Sequence, residues 1–154
     1  MSEMSDGNDV SEASHVSDVS DDKLVGIVLV SHSAQVAASV ADLARGLSGS
    51  GSAVPLAAAG GTEGGGLGTS SELIAAAAAS VDRGAGVAVL TDLGSAVLTV
   101  KALLAEGDEL PAGTRLVDAP FVEGAVAAVV TASTGADLDA VEAAAADAYT
   151  YRKV

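Results

Sequence analysis

A chain of 154 residues has room for one ordinary domain plus a tail, and with 49% apolar but only 2% aromatic residues its core must be built from small aliphatic side chains. The absence of cysteine excludes a disulfide scaffold, thiolate metal sites and a cysteine nucleophile. The formal charge of −14, from 21 acids against 7 bases, argues against a nucleic-acid partner. No apolar run reaches the roughly 18 residues of a membrane span, and the acidic start lacks the basic region of a signal peptide. A cytoplasmic protein with no membrane partner is expected.

Residues 1–23 repeat Ser, Asp and Glu with scattered Val and cannot bury enough apolar surface to fold, so they read as a disordered acidic leader to a domain over 24–154. His15 lies in that leader and receives no role. Seven of the acids fall in the first 22 residues, which leaves 14 acids against 7 bases, a net of −7, for the remainder. Acidity thus extends over the folded part. A lysine-poor, carboxylate-rich surface over a small-residue core is what a high-salt cytoplasm selects, the alternative being simply an acidic protein.

The stretch 25–30, VGIVLV, is β-branched and free of charge, the pattern of a strand buried on both faces of a parallel sheet. It ends at Ser31-His32-Ser33. A helix over 34–47 is predicted from the apolar positions Val36, Val40, Leu43 and Leu47, with Ser33 as N-cap. Residues 48–53 read as a Gly/Ser turn and 54–59 as a second strand, which Pro55 places at an edge or at the strand's start.

The sequence GGTEGGGLGTSS at 60–71 has six glycines in twelve residues and leads into an alanine-rich helix ending near Arg83, whose start at Thr69-x-x-Glu72 resembles a capping box. Such a backbone before a helix can wrap an anion with its N–H groups, aided by the hydroxyls of Thr62, Thr69 and Ser70, or can be a plain surface turn. Lacking lysine, it is not a Walker loop. A third strand at 86–91 ends at Asp92-Leu93-Gly94-Ser95, followed by a helix through Val100, Leu103 and Leu104. A fourth strand begins at Arg115 and ends at Asp118-Ala119-Pro120. Helices over 122–132 and 139–148 close the chain, the last with a capping pattern at Asp139-x-x-Glu142.

Alternating strands and helices predict an α/β fold, an open, mainly parallel sheet of about four strands flanked by helices. Parallel topology gathers His32, the glycine loop, Asp92, Ser95 and Asp118 at one edge. A histidine beside a carboxylate is either a satisfied polar pair or a catalytic one. No G-x-S-x-G elbow supports a hydrolytic triad, and one histidine with carboxylates makes a poor zinc site. The inventory suits a histidine nucleophile toward a phosphoryl group, with a carboxylate fixing its tautomer.

Four blocks, VGIVLVSHS, AAAGGT with GLGTS, VLTDLGSA and LVDAPFVEGA, resemble in order and spacing the phosphotransfer (DhaM) subunits of phosphoenolpyruvate-dependent dihydroxyacetone kinases, relatives of the mannose-type EIIA domains of sugar phosphotransferase systems. The resemblance runs from about Leu24 to Ala132. It implies an EIIA mannose-type fold, usually a homodimer, with His32 as phosphoryl acceptor through Nε2, Asp92 orienting it, and Gly61, Thr62, Gly94 and Ser95 binding the phosphate. The Gly60 to Ser70 loop and Asp118 to Glu123 would frame the site. It further implies HPr as donor, and as acceptor ADP held on a DhaL subunit working with DhaK, which holds dihydroxyacetone. No resident cofactor or metal is implied, since the phosphoryl group rides covalently on His32 and Mg-ADP belongs to the partner. Some family members continue into HPr-like and enzyme I-like domains; ending at Val154, this chain is expected to receive phosphate from separate proteins. Two alternatives stay open, a carrier for a mannose-type sugar transporter and a non-enzymatic regulatory module on the same fold.

Overall fold

The computed structural model describes residues 23–49 and 53–154. Residues 1–22 of the leader expected over 1–23, and the middle of the Gly/Ser turn, 50–52, lie outside the described residues. Within them the order is β1 (Gly26–Ser31), α1 (Ala34–Leu47), β2 (Leu56–Gly60), α2 (Ser71–Val81), β3 (Val87–Thr91), α3 (Gly94–Glu106), β4 (Thr114–Leu116), α4 (Phe121–Ser133), α5 (Leu138–Asp147) and a 3₁₀ turn (Ala148–Thr150). The four strands form one parallel sheet in the order β2-β1-β3-β4. This is the α/β architecture expected from the sequence.

β1 is central and all six of its residues are buried, because its two faces are covered by different helices. Side chains alternate across a strand, so Ile27 and Leu29 join Ala88 and Leu90 in packing against α1, α4 and α5. Val28 and Val30 join Val87 and Val89 against α2 and α3 on the other side. Each fully buried Ile27, Leu29 or Leu90 contributes about 1.5–3 kcal/mol over leaving it exposed. The helices meet the sheet largely through alanine, as with Ala77 and Ala78 of α2 and Ala125, Ala128 and Ala132 of α4. Pro55 precedes edge strand β2 and gives its carbonyl to the Ile27 N–H at 2.9 Å, a place where its missing donor costs nothing.

Two capping assignments need correction. The N-cap of α2 is Ser70, whose hydroxyl accepts from the Leu73 N–H at 3.2 Å, while Thr69 turns its hydroxyl to Thr99 at 2.9 Å. The cap of α5 is Asp137, which accepts from the Ala140 N–H at 2.9 Å. Asp139 and Glu142 instead receive the Arg115 guanidinium at 2.7 and 2.8 Å, tying α5 to β4. In both helices several oxygen-bearing side chains precede the apolar run, and the tertiary partner decides which one caps. Ser33 caps α1 as expected, accepting from the Val36 N–H at 3.2 Å.

Candidate active site

The chain leaves β1 into α1 on one face of the sheet and leaves neighbouring β3 into α3 on the other. The crevice between such diverging connections, at the strands' carboxyl ends, is the usual ligand position of an open α/β sheet. His32 follows β1 and Asp92 follows β3, so the fold sets them side by side. The His32 Nδ1 lies 3.0 Å from Asp92 Oδ1. Its Nε2 lies 2.5 Å from the Ser95 hydroxyl on the first turn of α3.

The Asp92 carboxylate is held at both oxygens. Oδ2 accepts from the Ser31 hydroxyl at 2.9 Å and from the His32 backbone N–H at 3.0 Å. Oδ1 accepts from the Leu93 N–H at 2.7 Å as well as from the ring. Burial acts to raise the pKa of Asp92, but the donors, led by the His32 backbone amide and the Ser31 hydroxyl, outweigh it and hold the carboxyl pKa below its ordinary value. An ionised carboxylate only accepts. The Nδ1 atom therefore carries the imidazole proton, and Nε2 presents a lone pair to Ser95. With side-chain exposures of 24% for His32 and 16% for Asp92, the ring is reachable while its partner is shielded.

A stability consequence follows from the lowered Asp92 value. The carboxylate contributes stability above its unfolded value near pH 4, and that contribution is lost as pH falls through the lower folded value. Melting curves at pH 7 and pH 3 are expected to show a smaller acid-induced drop for Asp92→Asn than for the unmodified protein. Equal drops would contradict the assigned role of these hydrogen bonds.

The glycine-rich loop is fastened to the same place. Gly61 N–H donates to the Ser31 carbonyl at 3.1 Å and Gly68 N–H to the His32 carbonyl at 2.9 Å. The approach is so close that a Cβ on Gly60 would sit 2.4 Å from the Ser33 carbonyl oxygen, and Gly61 turns the chain at a φ of +72°. Gly60→Ala is expected to cost about 1–3 kcal/mol in denaturant unfolding, because backbone must shift to make room. An unchanged midpoint would show that the loop floats free of the site.

The structure brings together three of the candidate residues, His32, Asp92 and Ser95, by direct hydrogen bonds. Gly94 and Ser95 open α3, whose start has no side-chain cap, so their N–H groups have no partner in the helix and are available to an anion. Gly61 and Thr62 sit in the fastened loop, but the Thr62 hydroxyl accepts from the Gly66 N–H at 3.0 Å within it. Asp118 accepts from the Tyr149 hydroxyl at 2.7 Å, and Glu123 pairs with Lys153. A cleft of about 460 Å³ runs beside Asp92, Gly94, Lys101, Asp118 and Tyr149. Sequence reasoning gave no role to Ser31. Its signal was parity, since the register of Val30 with Thr91 carried one residue further sets Ser31 beside Asp92. Among the described residues no cluster of three or more His, Asp or Glu is placed to hold a metal, and no helix is long and apolar enough to cross a membrane.

A four-stranded parallel sheet with a histidine, a carboxylate and a hydroxyl at its switch point defines an α/β domain built to present one imidazole nitrogen. The chain belongs to the EIIA-man family, whose model, described as PTS system fructose IIA component, matches residues 26–142. It is 38% identical over 120 residues to the phosphoryl donor subunit DhaM of the PEP-dependent dihydroxyacetone kinase of Escherichia coli K12, a match covering 77% of this chain and 25% of that protein. A Listeria innocua relative, the DhaM subunit of PEP-dependent dihydroxyacetone kinase 2, is 33% identical over 108 residues, 70% of this chain and 85% of its own length. The chain spans about a quarter of the enterobacterial relatives. A crystal structure of a protein of unknown function aligns over 84% of this chain and 97% of its own, with a TM-score of 0.69 and 28% identity.

Proposed function

We propose that the chain is a phosphohistidine carrier that takes a phosphoryl group from HPr on His32 and passes it to ADP held by a DhaL subunit, in phosphoenolpyruvate-dependent phosphorylation of dihydroxyacetone. The observation that carries this reading is the arrangement of the ring, with Nδ1 against Asp92 and Nε2 turned to a hydroxyl and a helix N-terminus. The DhaM names of the relatives support the acceptor. So does the resemblance of the block VLTDLGSA to such subunits.

The steps need little chemistry from the protein. The Nε2 lone pair attacks the phosphorus carried by the donor, the donor's bond to phosphorus breaks, and its electron pair returns to the donor. The proton stays on Nδ1, and Asp92 balances the positive charge that the phosphorylated ring acquires. Ser95 moves from Nε2 to a phosphoryl oxygen, beside the Gly94 and Ser95 N–H groups. In the second half, an oxygen of the ADP terminal phosphate attacks the same phosphorus, the Nε2–P bond breaks, and the ring recovers its lone pair. Val36 is 44%, Leu67 82% and Leu93 62% exposed; Val36 bonds through its N–H to Ser33 beside His32, Leu67 adjoins Gly68, whose N–H meets the His32 carbonyl, and the Leu93 N–H bonds Asp92. This apolar rim suits a carrier that docks with successive proteins despite its own acidity. The carrier is read as a cytoplasmic homodimer.

The acceptor is tested by discharge. Protein charged through phosphoenolpyruvate, enzyme I and HPr is expected to lose its phosphoryl group to ADP-loaded DhaL with DhaK, and not to a mannose-type EIIB protein. Discharge by the EIIB protein alone would move the chain to sugar transport.

A further inference from the structure

Ser31 ends β1 with 1% of its surface exposed, one of two buried polar residues among those described. Its hydroxyl oxygen accepts from the Ser33 N–H at 3.1 Å. That amide can only donate, so the hydroxyl hydrogen is left for the acceptor 2.9 Å away, Asp92 Oδ2. Among the described residues, Ser31 is the one side chain besides the His32 ring that donates to this carboxylate; the remaining donors among them are the backbone amides of His32 and Leu93.

The backbone amides fix where the carboxylate lies, one on each oxygen. They leave to Oδ2 one further donor, which Ser31 supplies from a position 1% exposed. A carboxylate deprived of that donor is worse stabilised as an anion and freer to turn about its last bond. That freedom to turn loosens Oδ1 from Nδ1. The ring proton then has less reason to stay on Nδ1, and a proton on Nε2 removes the lone pair that faces Ser95.

We propose that Ser31 is a positioning residue, whose hydroxyl bond to Asp92 Oδ2 holds the carboxylate against His32 Nδ1 and thereby keeps Nε2 unprotonated. The consequence for transfer rate rests on the carrier reading above; the consequence for the ring does not. Ser31 touches neither the ring nor the position of a transferred group, so its effect passes through Asp92.

The test compares Ser31→Ala with Ser31→Thr, which keeps the hydroxyl. The first readout is the tautomer of the His32 ring by nitrogen NMR, taken at about pH 8, where an ordinary imidazole is neutral. The unmodified protein and Ser31→Thr are expected to show the Nδ1–H form, and Ser31→Ala a mixture containing Nε2–H. The second readout is the rate of phosphoryl uptake from HPr against pH. Ser31→Ala is expected to be about tenfold slower across the pH range, and Ser31→Thr to recover most of the loss. Should the alanine variant unfold, Ser31→Cys fills a similar volume with a weak donor and is read in the same way. An unaltered tautomer, whatever the melting temperature, would overturn the proposal, as would equal slowing in the alanine and threonine variants. If the unmodified protein takes up no phosphoryl group, the carrier reading fails, and the tautomer comparison still decides the role of Ser31.

Discussion

His32→Ala is expected to yield a folded protein whose uptake of a phosphoryl group falls below about one part in 10⁴ of the unmodified rate, because no other nucleophile replaces the ring. The side chain stands at a strand end with about a quarter of its surface exposed, outside both halves of the core. Removing it takes one hydrogen bond from Asp92 Oδ1, which keeps the Leu93 amide. The cost in stability is about 1 kcal/mol. Quenched-flow phosphorylation beside a denaturation curve checks both statements. Uptake at an undiminished rate would place the acceptor elsewhere.

Asp92→Asn is expected to slow uptake by about 10²-fold or more while leaving donor binding in place. An amide has one acceptor oxygen where the carboxylate has two, and every neighbour at this position is a donor or can be one. With the NH₂ group at the Oδ1 position, it faces Nδ1, which must then accept, and the ring proton moves to Nε2. The other orientation sets the NH₂ group against the Ser31 hydroxyl and the His32 backbone amide. Either arrangement removes the negative charge that balances the phosphorylated ring, and the first also takes the lone pair from Nε2, without emptying the site. Single-turnover transfer at varied donor concentration separates the two effects. A variant defective only in donor affinity would contradict the role given to Asp92.

Much of this was legible in the chain itself. The uncharged β-branched run of β1 announced a strand covered on both faces, and its end at His32 placed the histidine before the crevice was seen. DLGS after β3 placed Asp92 and Ser95 in the same way, because parallel strands end on one edge. What the sequence hid was the choice among equivalent local partners. Thr69 and Ser70 both precede α2, and Asp137 and Asp139 both sit near the start of α5. The caps were decided by Thr99 and by Arg115, which are distant in sequence. The hydroxyls of the glycine loop were hidden for a related reason. Thr62 is spent on the loop's own turn, and the loop reaches His32 through the N–H groups of Gly61 and Gly68, which leave no mark in side-chain pattern. Ser31 is the instructive omission, since a small polar residue ending an apolar strand invites no notice until the register shows its neighbour.

The central claim is that His32 Nε2 is a phosphoryl acceptor, and intact mass spectrometry tests it most directly. After incubation with phosphoenolpyruvate, enzyme I and HPr, the account predicts a gain of one phosphoryl group that is labile to acid and stable to base, carried on His32 at Nε2. Folded protein that gains no mass beside a fully charged donor, or that gains it at a residue other than His32, would contradict the account.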